Sequence, residues 1–97
     1  MDKKVTVGFD CDLTLVDADN KPIPRNVGLL QCFINMGADV IVWSLAGIEH
    51  ATETAEKIGV KGQVRIIAKG SEKVDLSVDD QDTSLGRVNF RVGKDPE

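Results

Sequence analysis

Asp10 and Asp12 stand one residue apart at the end of an apolar run, in the stretch VTVGFDCDLTLVD, with Thr14 just beyond. Two carboxylates aimed at one spot repel, and one of them holds its proton more tightly unless a positive charge lies between them. Proteins tolerate that cost chiefly at metal sites and active sites. Further along, Ser44 closes a second apolar run, Lys69 follows a third, and Asp79 and Asp80 close a fourth. These residue types suit phosphoryl transfer. Mg²⁺ takes oxygen ligands, commonly one or two carboxylates with water completing the shell. Asp10 with Asp79 or Asp80 would supply them, and the ion would relieve the repulsion among the acids. Lys69 offers a cation to neutralise a nucleophilic carboxylate or hold a phosphate oxygen, and Ser44 offers a hydroxyl donor to another. A carboxylate nucleophile, an acid/base partner, a metal and two phosphate donors compose such a site.

Each residue also has a plainer role open to it. Asp10 and Asp12 can form a solvated turn, Asp79-Asp80 a helix cap, Ser44 a turn and Lys69 a surface charge. What sets them apart is the elements that deliver them. Residues 5–9 are apolar and rich in β-branched side chains, as in a strand buried on both faces. The polar stretch DADNKPIP then reads as a loop or hairpin. A helix is expected over about residues 24–36, where Val27, Leu30, Phe33 and Ile34 recur at helical spacing and Gly37 can close the end. Residues 39–44 read as a second buried strand. Residues 48–58 read as a second helix, with Ala51, Ala55 and Ile58 on one face and Gly59 as its stop. Strands are expected at residues 64–68 and 74–78, and an alternating edge strand at 87–92. Residues 94–97 read as a frayed tail.

Alternating strands and helices predict an α/β domain with parallel neighbours. In such sheets ligands bind beyond the carboxyl ends of the strands, which is where the acids, Ser44 and Lys69 fall. Lys73 precedes the fourth strand and belongs to the opposite end, so Lys69 is preferred over it as the lysine of the site.

The run Asp10-Cys-Asp-Leu-Thr14 resembles the DxDxT signature of the haloacid dehalogenase (HAD) superfamily. Ser44, Lys69 and Asp79-Asp80 are similar to its second, third and fourth motifs, in the same order along the chain. The resemblance covers roughly residues 4–82. It implies a HAD-like Rossmannoid three-layer fold with a mainly parallel sheet, here in a minimal, capless version spanning residues 1–97 as one domain. Residues 13–24 would form a small flap. The resemblance further implies a Mg²⁺-dependent phosphatase of phosphate monoesters. Asp10 would be its nucleophile, forming an aspartyl-phosphate, and Asp12 its general acid/base, with the Asp12 backbone carbonyl also on the metal. Thr14 would hold the turn, Ser44 and Lys69 would grip the phosphoryl group, Asp80 would be a direct metal ligand and Asp79 would act through water. An acid at position 12 is similar to the phosphatases and phosphomutases of the family, and the lack of a cap favours hydrolysis. A non-catalytic HAD-like accessory module that keeps Mg²⁺, or a receiver-like phospho-accepting domain, stays open.

The connections are short for this family. A parallel crossover normally takes a dozen or more residues, and only residues 69–73 separate the third and fourth expected strands. The missing helices would leave sheet surface bare, which makes room for a homodimer. Composition fits an ordinary globular domain, 41% hydrophobic and 29% charged. A net charge of −4 and the lack of a basic stripe exclude extended nucleic-acid binding as an expectation. The expected substrate is a phosphorylated small molecule, or a phosphate at a macromolecule's end or surface. No run approaches the ~18 apolar residues of a membrane span. Two cysteines without a metal pattern and no leader-like start suggest a reducing, cytoplasmic setting. Cys11, Cys32 and Trp43 are expected in the core. His50 and Arg25 are expected to be exposed, and Asp17, Asp19 and Asp82 to form an acidic rim.

Overall fold

The computed structural model describes residues 4–93; the expected tail at 94–97 lies outside them. Five parallel strands form a single sheet: β1 (Thr6–Phe9), β2 (Asp39–Val42), β3 (Arg65–Ile66), β4 (Val74–Asp79) and β5 (Gly86–Arg91). Their order is β3-β2-β1-β4-β5, and every pairing runs parallel. Two α-helices accompany them, α1 (Pro24–Asn35) and α2 (Ile48–Lys57), with one 3-10 turn at Lys61–Gln63.

Local sequence accounts for both helices. Pro24 opens α1, where its fixed φ suits the first turn and its missing N–H costs nothing. The chain leaves α1 through Met36 and Gly37, whose φ of +85° favours glycine. In α2, Glu49 in the first turn and Lys57 in the last complement the helix dipole. Ala51, Thr54 and Ala55 form its buried stripe, and these small side chains let it lie close to the sheet.

Both helices pack on the same face. Val7 and Phe9 of β1, Val40 and Val42 of β2 and Val78 of β4 form one core with Leu30 of α1 and Ala51 and Ala55 of α2. Strand alternation sends Ile41 and Trp43 to the opposite face. There they pack with Val74, Ile67 and Leu85. No helix among the described residues covers that face, so the expected three-layer arrangement gives way to two layers plus loops. The reason is chain length. The segments 67–73 and 80–85 are both short, and the first spends residues 68–71 on a turn closed by Ser71 N donating to Ala68 O, with Gly70 at a φ of +82°. The second must bring the chain from Asp79 back to Gly86, which lies beside Val74. That return is about 17 Å along the strand, and seven peptide steps reach only ~23 Å. No slack is left for a helix. The first crossing is eased because β3 is shorter than the expected residues 64–68: it ends at Ile66, which frees Ile67 and Ala68 for the traverse.

Two close approaches fix these loops. A Cβ on Gly8 would lie 2.5 Å from the Trp43 ring, so the indole lies directly on the β1 backbone. A Cβ on Gly86 would meet the Ser77 backbone nitrogen at 2.8 Å. Asn89 seals the same corner, accepting from Gly86 N at 2.9 Å and donating to Gly86 O at 2.9 Å. Of the two cysteines, Cys11 is buried as expected, whereas Cys32 is exposed on the outer side of α1. No described helix is long and apolar enough to cross a membrane.

The Gly8 contact yields a prediction. Gly8→Ala must push the indole or the strand aside, and overpacking of this kind costs about 1–3 kcal/mol. A urea titration should show a lower midpoint for Gly8→Ala, and an unchanged midpoint would mean that Trp43 does not lie on β1.

Candidate functional site

Sheet register brings the acids together. Phe9 lies beside Val42 on one side and Val78 on the other. The next residue of each strand, Asp10, Trp43 and Asp79, therefore forms the adjoining row, and Ser44 and Asp80 follow. The register is locked beyond the strand itself, because Asp10 N donates to Val78 O at 3.0 Å and Trp43 N to Phe9 O at 3.1 Å.

After Asp10 the chain turns sharply. The Cys11 carbonyl accepts from Thr14, Leu15 and Val16 N–H groups, and Leu13 adopts a left-handed φ of +65°. Such strain in a non-glycine residue persists only where its surroundings enforce it. The flap beyond is a small hairpin. Asp17 Oδ1 accepts from the Asp19 and Lys21 N–H groups at its tip, and Ile23 N donates to Leu15 O at its base. Asn26 is buried and donates to Thr14 O at 2.8 Å, tying the turn to α1.

Asp10, Asp79 and Asp80 are all buried, and one carboxylate oxygen from each lies within 4.8 Å of the others. Lys69 enters from the 67–73 crossing. Its Nζ donates to Asp10 Oδ1 at 2.9 Å and to Asp79 Oδ2 at 2.7 Å. Thr14 Oγ1 donates on the far side, toward Asp10 Oδ2 at 3.2 Å and Asp80 Oδ1 at 3.4 Å. Ser44 is buried at the end of β2, and its Oγ accepts from Ala46 N at 3.0 Å. Asp10, Ser44, Lys69, Asp79 and Asp80 line one cleft of about 190 Å³, together with Asp12, Leu45 and Gln81. Lys73 is exposed at the start of β4, at the other end of the sheet.

Asp12 departs from the expectation that Asp10 and Asp12 aim at one spot. Its carboxylate lies at the cleft mouth, where the side chain is 60% exposed. There its Oδ1 meets His50 Nε2 at 2.8 Å. The acids that face Asp10 are instead Asp79 and Asp80, from a neighbouring strand. His50 is thus not merely exposed. The signal for it was its place in the first turn of the helix after Ser44, which delivers it to the same edge of the sheet. Asn26 left no such signal, since its partners come from the flap and the chain's far end. Arg25 is exposed as expected and donates to Gly93 O. Of the expected acidic rim, Asp17 closes the flap tip and Asp82 pairs with Arg91 at 3.5 Å.

Charge explains the local chemistry. Burial pushes the Asp10 carboxyl up to about 6, against the pull of the Lys69 hydrogen bond. Burial also works against the Lys69 ammonium, but its bonds to Asp79 and Asp10 outweigh it and raise the pKa. Burial pushes the Cys11 thiol up to about 12, so it stays protonated and is no nucleophile near neutrality. Three carboxylates face one ammonium, which leaves two negative charges uncompensated in a mostly buried cluster. An all-oxygen donor set with that deficit fits a hard divalent cation. The two aspartates of β4 differ in what they can offer it. Asp79 is engaged at both oxygens, by Lys69 and by Gln81 N. Asp80 accepts from the Thr14 hydroxyl at a long 3.4 Å through Oδ1 and otherwise faces Asp10, so it is less firmly engaged than Asp79.

Comparison with family models, with curated proteins and with solved structures found no match to this chain. Fold and site together define an α/β chain with an acidic, lysine-bridged cleft at the carboxyl edge of a parallel sheet.

Two stability predictions follow from the cluster, both for protein in EDTA. The folded-state pKa of Asp10 is raised above its ordinary value. Its contribution to stability is therefore fully present below pH ~4 and lost as pH rises through ~6. Asp10→Asn, which cannot ionise, should gain on the wild type by roughly 2–3 kcal/mol between pH 4 and pH 7. Parallel denaturation curves across that range would contradict the buried, charge-crowded Asp10. Lys69→Met strands two buried carboxylates, and breaking such a pair costs about 3–5 kcal/mol. Urea unfolding at pH 7.5 checks this; a loss under ~1 kcal/mol, the range of an exposed pair, would mean that the lysine is solvated.

Proposed function

We propose that the chain is a Mg²⁺-dependent phosphohydrolase that works through an aspartyl-phosphate on Asp10. The observation that carries this reading is the Lys69 ammonium bridging Asp10 and Asp79 beside a less firmly engaged Asp80. That arrangement agrees with the roles implied by the resemblance to the HAD superfamily. Asp10 and Asp80 would hold Mg²⁺ with the Asp12 backbone carbonyl, and Asp79 would act through water. Bound there, the ion would neutralise charge on the transferring phosphoryl group.

The remaining work belongs to the side chains. A carboxylate oxygen of Asp10 attacks phosphorus while the bond to the leaving oxygen breaks. That oxygen takes the electron pair and receives a proton from Asp12. Water then attacks the phosphorus of the aspartyl-phosphate and gives a proton to Asp12. The bond to Asp10 breaks, and inorganic phosphate leaves with both carboxyl groups restored. Lys69 screens the charge of Asp10 as the dianionic phosphate approaches and then holds a phosphoryl oxygen. Ser44 donates to another. Cys11 takes no part.

No domain stands over the cleft among the described residues, and Leu45 beside Ser44 is 87% exposed. The substrate would therefore be a phosphate monoester whose organic part stays outside, on a small molecule or on a macromolecule's end or surface.

Phosphate release from p-nitrophenyl phosphate tests the reading. Turnover should require Mg²⁺, stop in EDTA and fall to background in Asp10→Asn. Mg²⁺ binding by calorimetry without turnover would replace the enzyme by a metal-binding accessory module. Turnover that survives Asp10→Asn would remove Asp10 as the nucleophile.

A further inference from the structure

Within the phosphohydrolase reading, on which this inference rests, we propose that His50 is a positioning residue that holds Asp12 for proton transfer. Asp12 lies on an exposed turn at the cleft mouth, and an unrestrained carboxylate there would be spread over several rotamers. Among the described residues its side chain has one partner, His50 Nε2 at 2.8 Å on Oδ1. Oδ2 is left free to face the leaving group.

His50 is well placed for this task. It sits in the first turn of α2, whose Ala51 and Ala55 are fully buried against the sheet. Thr54 Oγ1 donates to the His50 carbonyl at 3.1 Å and stiffens the same turn. The imidazole is therefore mounted on a packed helix, whereas the acid it holds is mounted on a strained turn. Placing one end of a catalytic contact on a rigid element is what keeps the other within working geometry. Position 50 also follows Ser44 by six residues. The connection from β2 into α2 thus carries both a phosphate donor and the group that orients the acid.

The test compares phenyl phosphate with p-nitrophenyl phosphate, which differ little in shape. Phenolate is the more basic leaving group and needs the proton more. If His50 positions Asp12, His50→Ala should slow phenyl phosphate about 10- to 100-fold, the scale of a misplaced catalytic group, and should slow p-nitrophenyl phosphate several-fold less. His50→Gln, which can present an N–H to the same oxygen, should recover much of the loss. Equal losses on both substrates, no loss on either, or a glutamine variant no better than alanine would overturn the inference and leave the phosphatase reading standing. A wild type that hydrolyses neither ester with Mg²⁺ would instead overturn the phosphatase reading, and the role of His50 with it. Thermal unfolding of both variants identifies any loss that comes from a damaged fold.

Discussion

The Lys69 ammonium is the contact on which the site depends. Parallel register sets Asp10 and Asp79 side by side in the middle of the sheet, where two carboxylates would repel at close range with little solvent to screen them. Lys69 reaches both and is itself almost wholly buried. It can do so because its backbone lies on the segment that crosses from β3 to β4 over the carboxyl edge. The crossing therefore closes the sheet and delivers the cation in one step. It offsets only part of the negative charge, and the remainder is what makes the all-oxygen donor set of the cleft fit a divalent cation.

The two faces of the sheet divide the labour. One carries both helices and nearly all of the aliphatic core. The other is covered by Trp43, which follows β2, and by Ile67 and Leu85 on two short loops. A small chain buries a smaller fraction of its surface than a large one, and a single broad indole laid on Gly8 is an economical cover. The economy leaves an open site. Among the described residues no domain stands over the cleft; Leu45 and Asp12 line it, with His50 beside Asp12 at the mouth.

The mouth and the base of the cleft are built differently. At the base, strand ends hold Asp10, Asp79 and Asp80 with little freedom. At the mouth, Asp12 stands on a strained turn and finds its partner on another element. On the proposed reading this matches the demands of the chemistry. A nucleophile and metal ligands need fixed positions, while an acid that serves first the leaving group and then water needs an accessible one.

Much of this was legible in the residues. Apolar runs ending in Asp, Ser, Lys and Asp-Asp marked four strand ends, because a parallel sheet is written as continuous β-branched stretches and its ligands lie at one edge. Helical spacing and the glycines at 37 and 59 marked both helices within a residue or two. Residue order thus determined the elements, the edge at which Asp10, Ser44, Lys69 and Asp80 would gather, and the choice of Lys69 over Lys73 for that edge. Tertiary structure decided the rest. Whether helices take one face or two depends on how far a crossing must reach, and that distance exists only once the strand order is set. Asp12 meets His50 of α2 and does not join the Asp10, Asp79 and Asp80 cluster, a pairing that neither residue's neighbours announce. Asn26 is buried because the flap folds over it. Each of these is a contact between segments far apart in the chain, and local sequence specifies the direction of a side chain far better than the identity of what it will meet.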